Sequence, residues 1–269
     1  MQSHLLKTTL ALALTAALSL PAQALEVEEA GVEKGEAELA YEGTYTDDNG
    51  EGAYEHEHEI EGEIGLLDWL KLGVGFGFEE EEGERDFEFS EIEASATVEL
   101  VDPEQGNFGF ALYGRLSKEL AEEADESDLS QYAIGVIAET TVNNILFRGN
   151  LFYIADLQGN DEQQFDGVEY AYRISYQLND SFGLGVEGYG TDTDFDDPGE
   201  DDANTHMVGP VLYYSRELEE RGAEEGSLKD NDDGEEEEGT EMEAQFGVLF
   251  GTNDETPDVT LKWNLGLEF

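Results

Sequence analysis

The chain contains no cysteine among its 269 residues, which excludes a disulfide framework, thiolate metal ligation and a cysteine nucleophile. Basic residues are scarce too: 12 Lys and Arg stand against 67 Asp and Glu, a formal net charge of -55. A surface so charged repels nucleic acid and anionic lipid, and in dilute salt it repels itself. Halophilic proteins use this lever, so the expected role of any single Glu is solvation of the exterior in brine. Beyond Ala24 there is no run of about 18 apolar residues, which excludes a helical membrane span. The mean hydropathy of -0.50 would ordinarily suggest disorder, but 12 Tyr, 14 Phe and 31 Gly are present, and they are arranged with a clear period.

The amino-terminal stretch places one base, Lys7, ahead of an apolar run over residues 8–20 that ends in Pro21-Ala22-Gln23-Ala24. That pattern predicts a secretory signal peptide over residues 1–24, cleaved after Ala24. The apolar run is too short for a permanent anchor and has no stop-transfer flank. No Cys follows the small residues, which excludes a lipid-anchored form. The remaining domain is expected to span residues 25–269.

Within it, segments of about ten residues alternate apolar with polar or small side chains between Asp, Asn, Gly, Pro and Glu turns. Leu70, Leu72, Val74, Phe76 and Phe78 alternate with Lys71, Gly73, Gly75, Gly77 and Glu79. The same period recurs through Tyr132–Ala138, through Ile145–Tyr153, through Val168–Leu178 and through Val259–Phe269. About twelve such strands predict an all-β transmembrane antiparallel β-barrel. A soluble sandwich alternates as well. The export signal, the scarcity of continuous apolar strands and the asymmetry of the connections favour the barrel. Short turns at Leu66-Leu67-Asp68-Trp69, Val142-Asn143-Asn144 and Asn179-Asp180-Ser181 are expected on the periplasmic side, and longer acidic loops over 119–129, 156–167 and 191–204 outside. The stretch 216–240 breaks the rule, being long, acidic and periplasmic by parity. It is expected to be a disordered insertion, the alternative being a strand miscounted nearby.

His206-Met207-Val208-Gly209-Pro210-Val211-Leu212-Tyr213-Tyr214, then Thr256-Pro257-Asp258-Val259-Thr260-Leu261-Lys262-Trp263 and the terminal Phe269, resemble the closing strands of small proteobacterial outer-membrane barrels of the transporter and porin class. The resemblance covers the last quarter of the chain. It implies residence in the outer membrane of a Gram-negative bacterium, contact with outer-membrane lipid, and a role for Phe269 as the signal read by the barrel-assembly machinery. It supplies no catalytic residues.

Motifs for chemistry are few. His56 and His58, set among Glu55, Glu57, Glu59, Glu61 and Glu63, are the candidate metal ligands. An extended strand separates the two His from the Glu row and aligns them with Ile60 and Ile64 on the outer face, so a position at the rim is expected. Asp192-Thr193-Asp194-Phe195-Asp196 opens like a calcium loop but fails at Asp197 and Ala203. No Gly-x-Ser-x-Gly motif occurs, and the four His sit in no recognisable nucleophile motif. Neither an enzyme nor a cofactor is expected.

The rare cations say more. By parity Lys71, Arg115, Arg148, Arg173 and Lys262 point inward. The turns set Arg115 opposite Glu93, Arg148 opposite Glu139, Arg173 opposite Glu187 and Lys71 near Glu63. These eight residues are the expected pore lining. The reading they support is a porin-like channel for small solutes, cation-preferring because its interior is rich in carboxylate. The alternative is a closed structural or adhesive barrel whose acidic loops bind ions or partners.

Overall fold

The computed structural model describes residues 25–47, 54–80, 88–120, 130–157, 166–192, 204–218, 239–253 and 256–269. The strands are β1 (Ala37–Asp47), β2 (Tyr54–Leu67), β3 (Leu70–Glu80), β4 (Glu88–Val101), β5 (Phe108–Glu119) and β6 (Ser130–Val142), followed by β7 (Ile145–Asp156), β8 (Asp166–Asn179), β9 (Phe182–Asp192), β10 (Thr205–Leu218), β11 (Thr240–Gly251) and β12 (Val259–Glu268). Each pairs antiparallel with its sequence neighbours, and β1 pairs with β12 to close a twelve-strand barrel. Closure leaves no unpaired edge among them. The seam is extended by Ala37 and Phe269, whose backbones exchange hydrogen bonds of 3.1 and 2.9 Å.

The turns explain the registers. Asn143 and Asn144 have φ of 49° and 65°, the left-handed pair that a two-residue hairpin twisted like its strands requires and that Asn tolerates. At the β8–β9 turn the Asn179 side-chain oxygen accepts from the Ser181 and Phe182 amides at 3.0 and 3.1 Å, a local bond that fixes the reversal.

Polarity is inverted relative to a soluble sandwich. Leu39, Ile64, Val74, Leu112, Leu151, Ile174 and Leu265 lie exposed on the outside. Inside, charged side chains meet across the lumen: Arg115 on β5 reaches Glu169 on β8, and Lys262 on β12 reaches Glu187 on β9. An apolar exterior around a polar interior is the transmembrane arrangement.

Two expectations are corrected. Arg115 does not stand opposite Glu93; it pairs with Ser95. A bulge between Glu99 and Val101, followed by a turn in which Asp102 accepts from the Glu104 amide at 2.7 Å, moves β5 along β4. The offset of two residues preserves the face, as a pleat of period two demands. The stretch 216–240 is not wholly an insertion, because Arg216, Glu217 and Leu218 belong to β10 and Thr240 begins β11, with Leu218 paired to Thr240. These two strands form one hairpin at the end carrying the short turns, so no strand is miscounted there. The disorder expected of 219–238 lies outside the described residues, as do the signal peptide over 1–24 and most of the calcium-like loop.

Candidate functional site

The lumen is occupied by the chain itself. Residues 25–36, which precede β1, run down the interior from mid-barrel to the turn end before the chain reverses into the wall. Their apolar side chains join the packing inside. Ala30, fully buried, packs with Ala111 and Tyr113 of β5, Ala133 and Ile137 of β6 and Phe152 and Ile154 of β7. Val27 packs with Ala171, Tyr189 and Leu249.

Polar bonds hold the segment at five levels. Lys262 Nζ donates to the Leu25 carbonyl at 2.6 Å. Asn150 Nδ2 donates to the Glu28 carbonyl at 2.9 Å. Arg148 donates to the Glu29 carboxylate at 3.0 Å and to the Val27 carbonyl at 3.4 Å. The Val32 amide donates to Glu99 at 2.9 Å. At the foot, the Gly35 amide donates to the Gly65 carbonyl at 2.8 Å and the Gly65 amide to the Glu36 carbonyl at 2.9 Å. A Cβ on Gly65 would collide with the Glu33 carbonyl, so glycine is required for this approach. Gly35, with φ +100°, makes the reversal that L side chains rarely adopt.

The eight residues expected to line a pore all face this interior. Lys71 closes on Glu63 at 2.6 Å. Arg115 spans to Glu93 at 3.3 Å and to Glu169 at 3.1 Å. Arg148 binds Glu139 at 2.6 Å through Nε. Arg173 approaches Glu187 only to 4.0 Å. The closer partner of Glu187 is Lys262 at 2.7 Å, with the hydroxyls of Tyr189 and Tyr213 donating at 2.6 and 2.8 Å. Parity along β12 places Lys262 inward, but no local spacing links it to Glu187, because the pair spans three strands.

The rim residues are located as well. His56 and His58 face outward among Tyr41, Tyr45 and Trp263, with His58 hydrogen-bonded to the Tyr41 hydroxyl at 2.8 Å and His56 beside Glu80 at 3.1 Å. Among the described residues no cluster of three or more His, Asp or Glu converges as metal ligands would.

The segment's own carboxylates differ sharply. Burial pushes Glu28 up to about 8, with Glu26 and Glu63 adding to the shift and Lys71 and Tyr113 opposing it. Burial acts on Glu29 in the same direction, but Arg148 and then Lys71 outweigh it and hold that carboxyl below its ordinary value. A carboxyl raised on folding contributes fully below the ordinary carboxylate range, and the contribution is lost as pH rises through the folded value. The segment should therefore loosen as pH climbs through about 8. A spin label at Val32 is expected to sharpen over that interval, and Glu28→Gln to remove the change; a spectrum constant with pH would refute it.

No family model matches the chain, and no curated protein does. Solved structures do. An outer membrane channel from Pseudomonas putida F1 aligns with a TM-score of 0.56 at 12% identity, covering 92% of this chain and 98% of that one. NanC porin aligns with a TM-score of 0.52 at 10% identity, covering 86% and 98%. These likenesses show a shared outer-membrane barrel fold.

Proposed function

We propose that the chain is a porin-like channel of a Gram-negative outer membrane that passes small solutes and prefers cations. The observation that carries this reading is a closed wall with an apolar exterior and a lumen rich in carboxylate, an arrangement that favours cation passage. Residues 1–24 direct export, and Phe269, at the seam, is read by the barrel-assembly machinery. Lys71, Arg115, Arg148 and Arg173, with Glu63, Glu93, Glu139 and Glu187, shape the constriction, and the chain acts without catalysis. The packing of residues 25–36 inside the barrel supports a second reading, a closed structural barrel.

Planar-bilayer recording of the refolded protein separates the two. Neutralising Arg115, Arg148 and Arg173 together strips partners from inward carboxylates. The reversal potential in a KCl gradient should then move further toward cation selectivity, with a marked loss of stability, since these pairs are largely buried and removing one partner leaves a carboxylate uncompensated. Anion preference in the unaltered barrel would overturn the assignment. Silence before and after the substitution would favour the structural reading.

The net charge of -55 fits life in concentrated salt. As the Debye length grows from about 3 Å at 1 M to about 30 Å at 0.01 M, repulsion among surface carboxylates should lower the melting temperature. A melting temperature indifferent to dilution would remove the halophilic reading.

A further inference from the structure

The lumenal cations are unequally used. Lys71, Arg115 and Lys262 each have a carboxylate within hydrogen-bonding range. Arg148 commits Nε to Glu139 and its two terminal nitrogens to Val27 and Glu29. Arg173 is different. Its Nε is sealed from solvent and has no hydrogen-bond partner among the described residues. Its guanidinium lies 3.7 Å above the Tyr213 ring. The carboxylate it approaches, Glu187, already receives Lys262 and Tyr189 on one oxygen and Tyr213 on the other.

Arg173 also stands directly across the β7–β8 ladder from Arg148. Like charges so placed destabilise a sheet unless a counter-charge joins them, and a buried donor is ordinarily satisfied. In a chain with 67 acids and 12 bases, an arginine to which no carboxylate of the described residues is hydrogen-bonded is not explained by a shortage of carboxylates.

Arg173 borders a lumenal cavity of about 230 Å3 on the turn side of the barrel. Arg148, Lys71, Gln245, Glu243 and Glu268 share its wall, and Glu28 of the amino-terminal segment closes one side. Among the described residues, seven carboxylates and three cations line it. That balance opposes a simple anion, while a simple cation would stand beside Arg173 and Arg148 with no acceptor to offer either. The volume lies below the roughly 300–1,000 Å3 typical of drug-sized sites, which limits the occupant to a small solute.

We propose that this cavity binds a small zwitterion, its carboxylate on the Arg173 guanidinium and its cationic group toward Glu243 and Glu268. A planar guanidinium fork matches carboxylate geometry and gives charge-assisted bonds. The proposal deepens the channel reading by naming the solute class, and it rests on that reading for its physiological sense.

The test is calorimetric titration of the refolded full-length barrel in detergent with three probes: 3-aminopropionate, propionate and propylamine. Only the zwitterion should bind, and Arg173→Gln should weaken it by at least about tenfold, the loss expected on deleting a charged hydrogen bond. Arg173→Lys should retain part of the affinity, and Glu243→Gln should weaken the zwitterion as well, which supplies a second variant should the first fail to fold. Equal binding of propionate or propylamine, unchanged affinity in Arg173→Gln, or no binding by any probe would overturn the proposal. The bilayer result is independent. A barrel that binds the zwitterion but carries no current loses the channel reading and keeps the site; one that conducts but binds nothing keeps the channel and loses the site.

Discussion

Deleting residues 26–34 is expected to raise single-channel current at least about tenfold over the intact barrel, because the path is then bounded by the wall alone and its carboxylates face a continuous aqueous column. The expectation follows from where the segment lies. Val27 and Ala30 pack with apolar side chains of the wall, and such contacts leave no room for hydrated ions on that side of the lumen. The wall should survive the deletion, since its twelve strands pair only with one another. Gly65→Val offers a milder route to the same end, since its side chain would occupy the position of the Glu33 carbonyl and displace the foot of the segment without removing a bond of the ladder. Current unchanged in both variants would mean that residues 25–36 do not restrict the path.

The second large effect concerns the outer face. Leu151, at the middle of β7 and 52% exposed on the exterior, should cost about 2 to 4 kcal/mol when changed to Arg in a bilayer, and Val74→Arg a similar amount. Inward neighbours should respond differently. Gly75→Ser meets the far end of the Glu59 side chain, which can swing aside. Asn150→Ser forfeits the bond to the Glu28 carbonyl, about 1 kcal/mol. Reversible unfolding from lipid vesicles measures both. Equal sensitivity of the two faces would contradict the lipid-facing assignment.

Much of the wall is legible in the amino-acid sequence. A side-chain period of two decides which face each residue joins, so alternation at Leu70–Phe78 or Ile145–Tyr153 assigns inside and outside strand by strand. Tight turns then carry register: from Asn143-Asn144 one can count Arg148 to Glu139, and from the β8–β9 turn Arg173 to Glu187, both as paired in the barrel. The count fails at β4–β5, where a bulge and a six-residue connection leave the register undetermined by alternation. Arg115 nevertheless reaches Glu93, because a long side chain spans the diagonal of a ladder.

Alternation is silent about the segment ahead of β1. Residues 25–36 read Leu-Glu-Val-Glu-Glu-Ala-Gly-Val-Glu-Lys-Gly-Glu, acidic and nearly without period, and in a chain this acidic they pass for one more solvated stretch. Their place is set by contacts to Lys262, Asn150, Arg148 and Gly65, all distant along the chain. The one local hint is Gly35, which follows Gly31 closely and sits next to the start of β1.

The segment is continuous with β1, and β1 is one side of the seam. A hinge follows from that connection: the chain turns back at Gly35 into the mouth where β1 begins, so the segment has a way out of a closed cylinder that does not part β1 from β12. Emptying the lumen and opening the seam are therefore separate events.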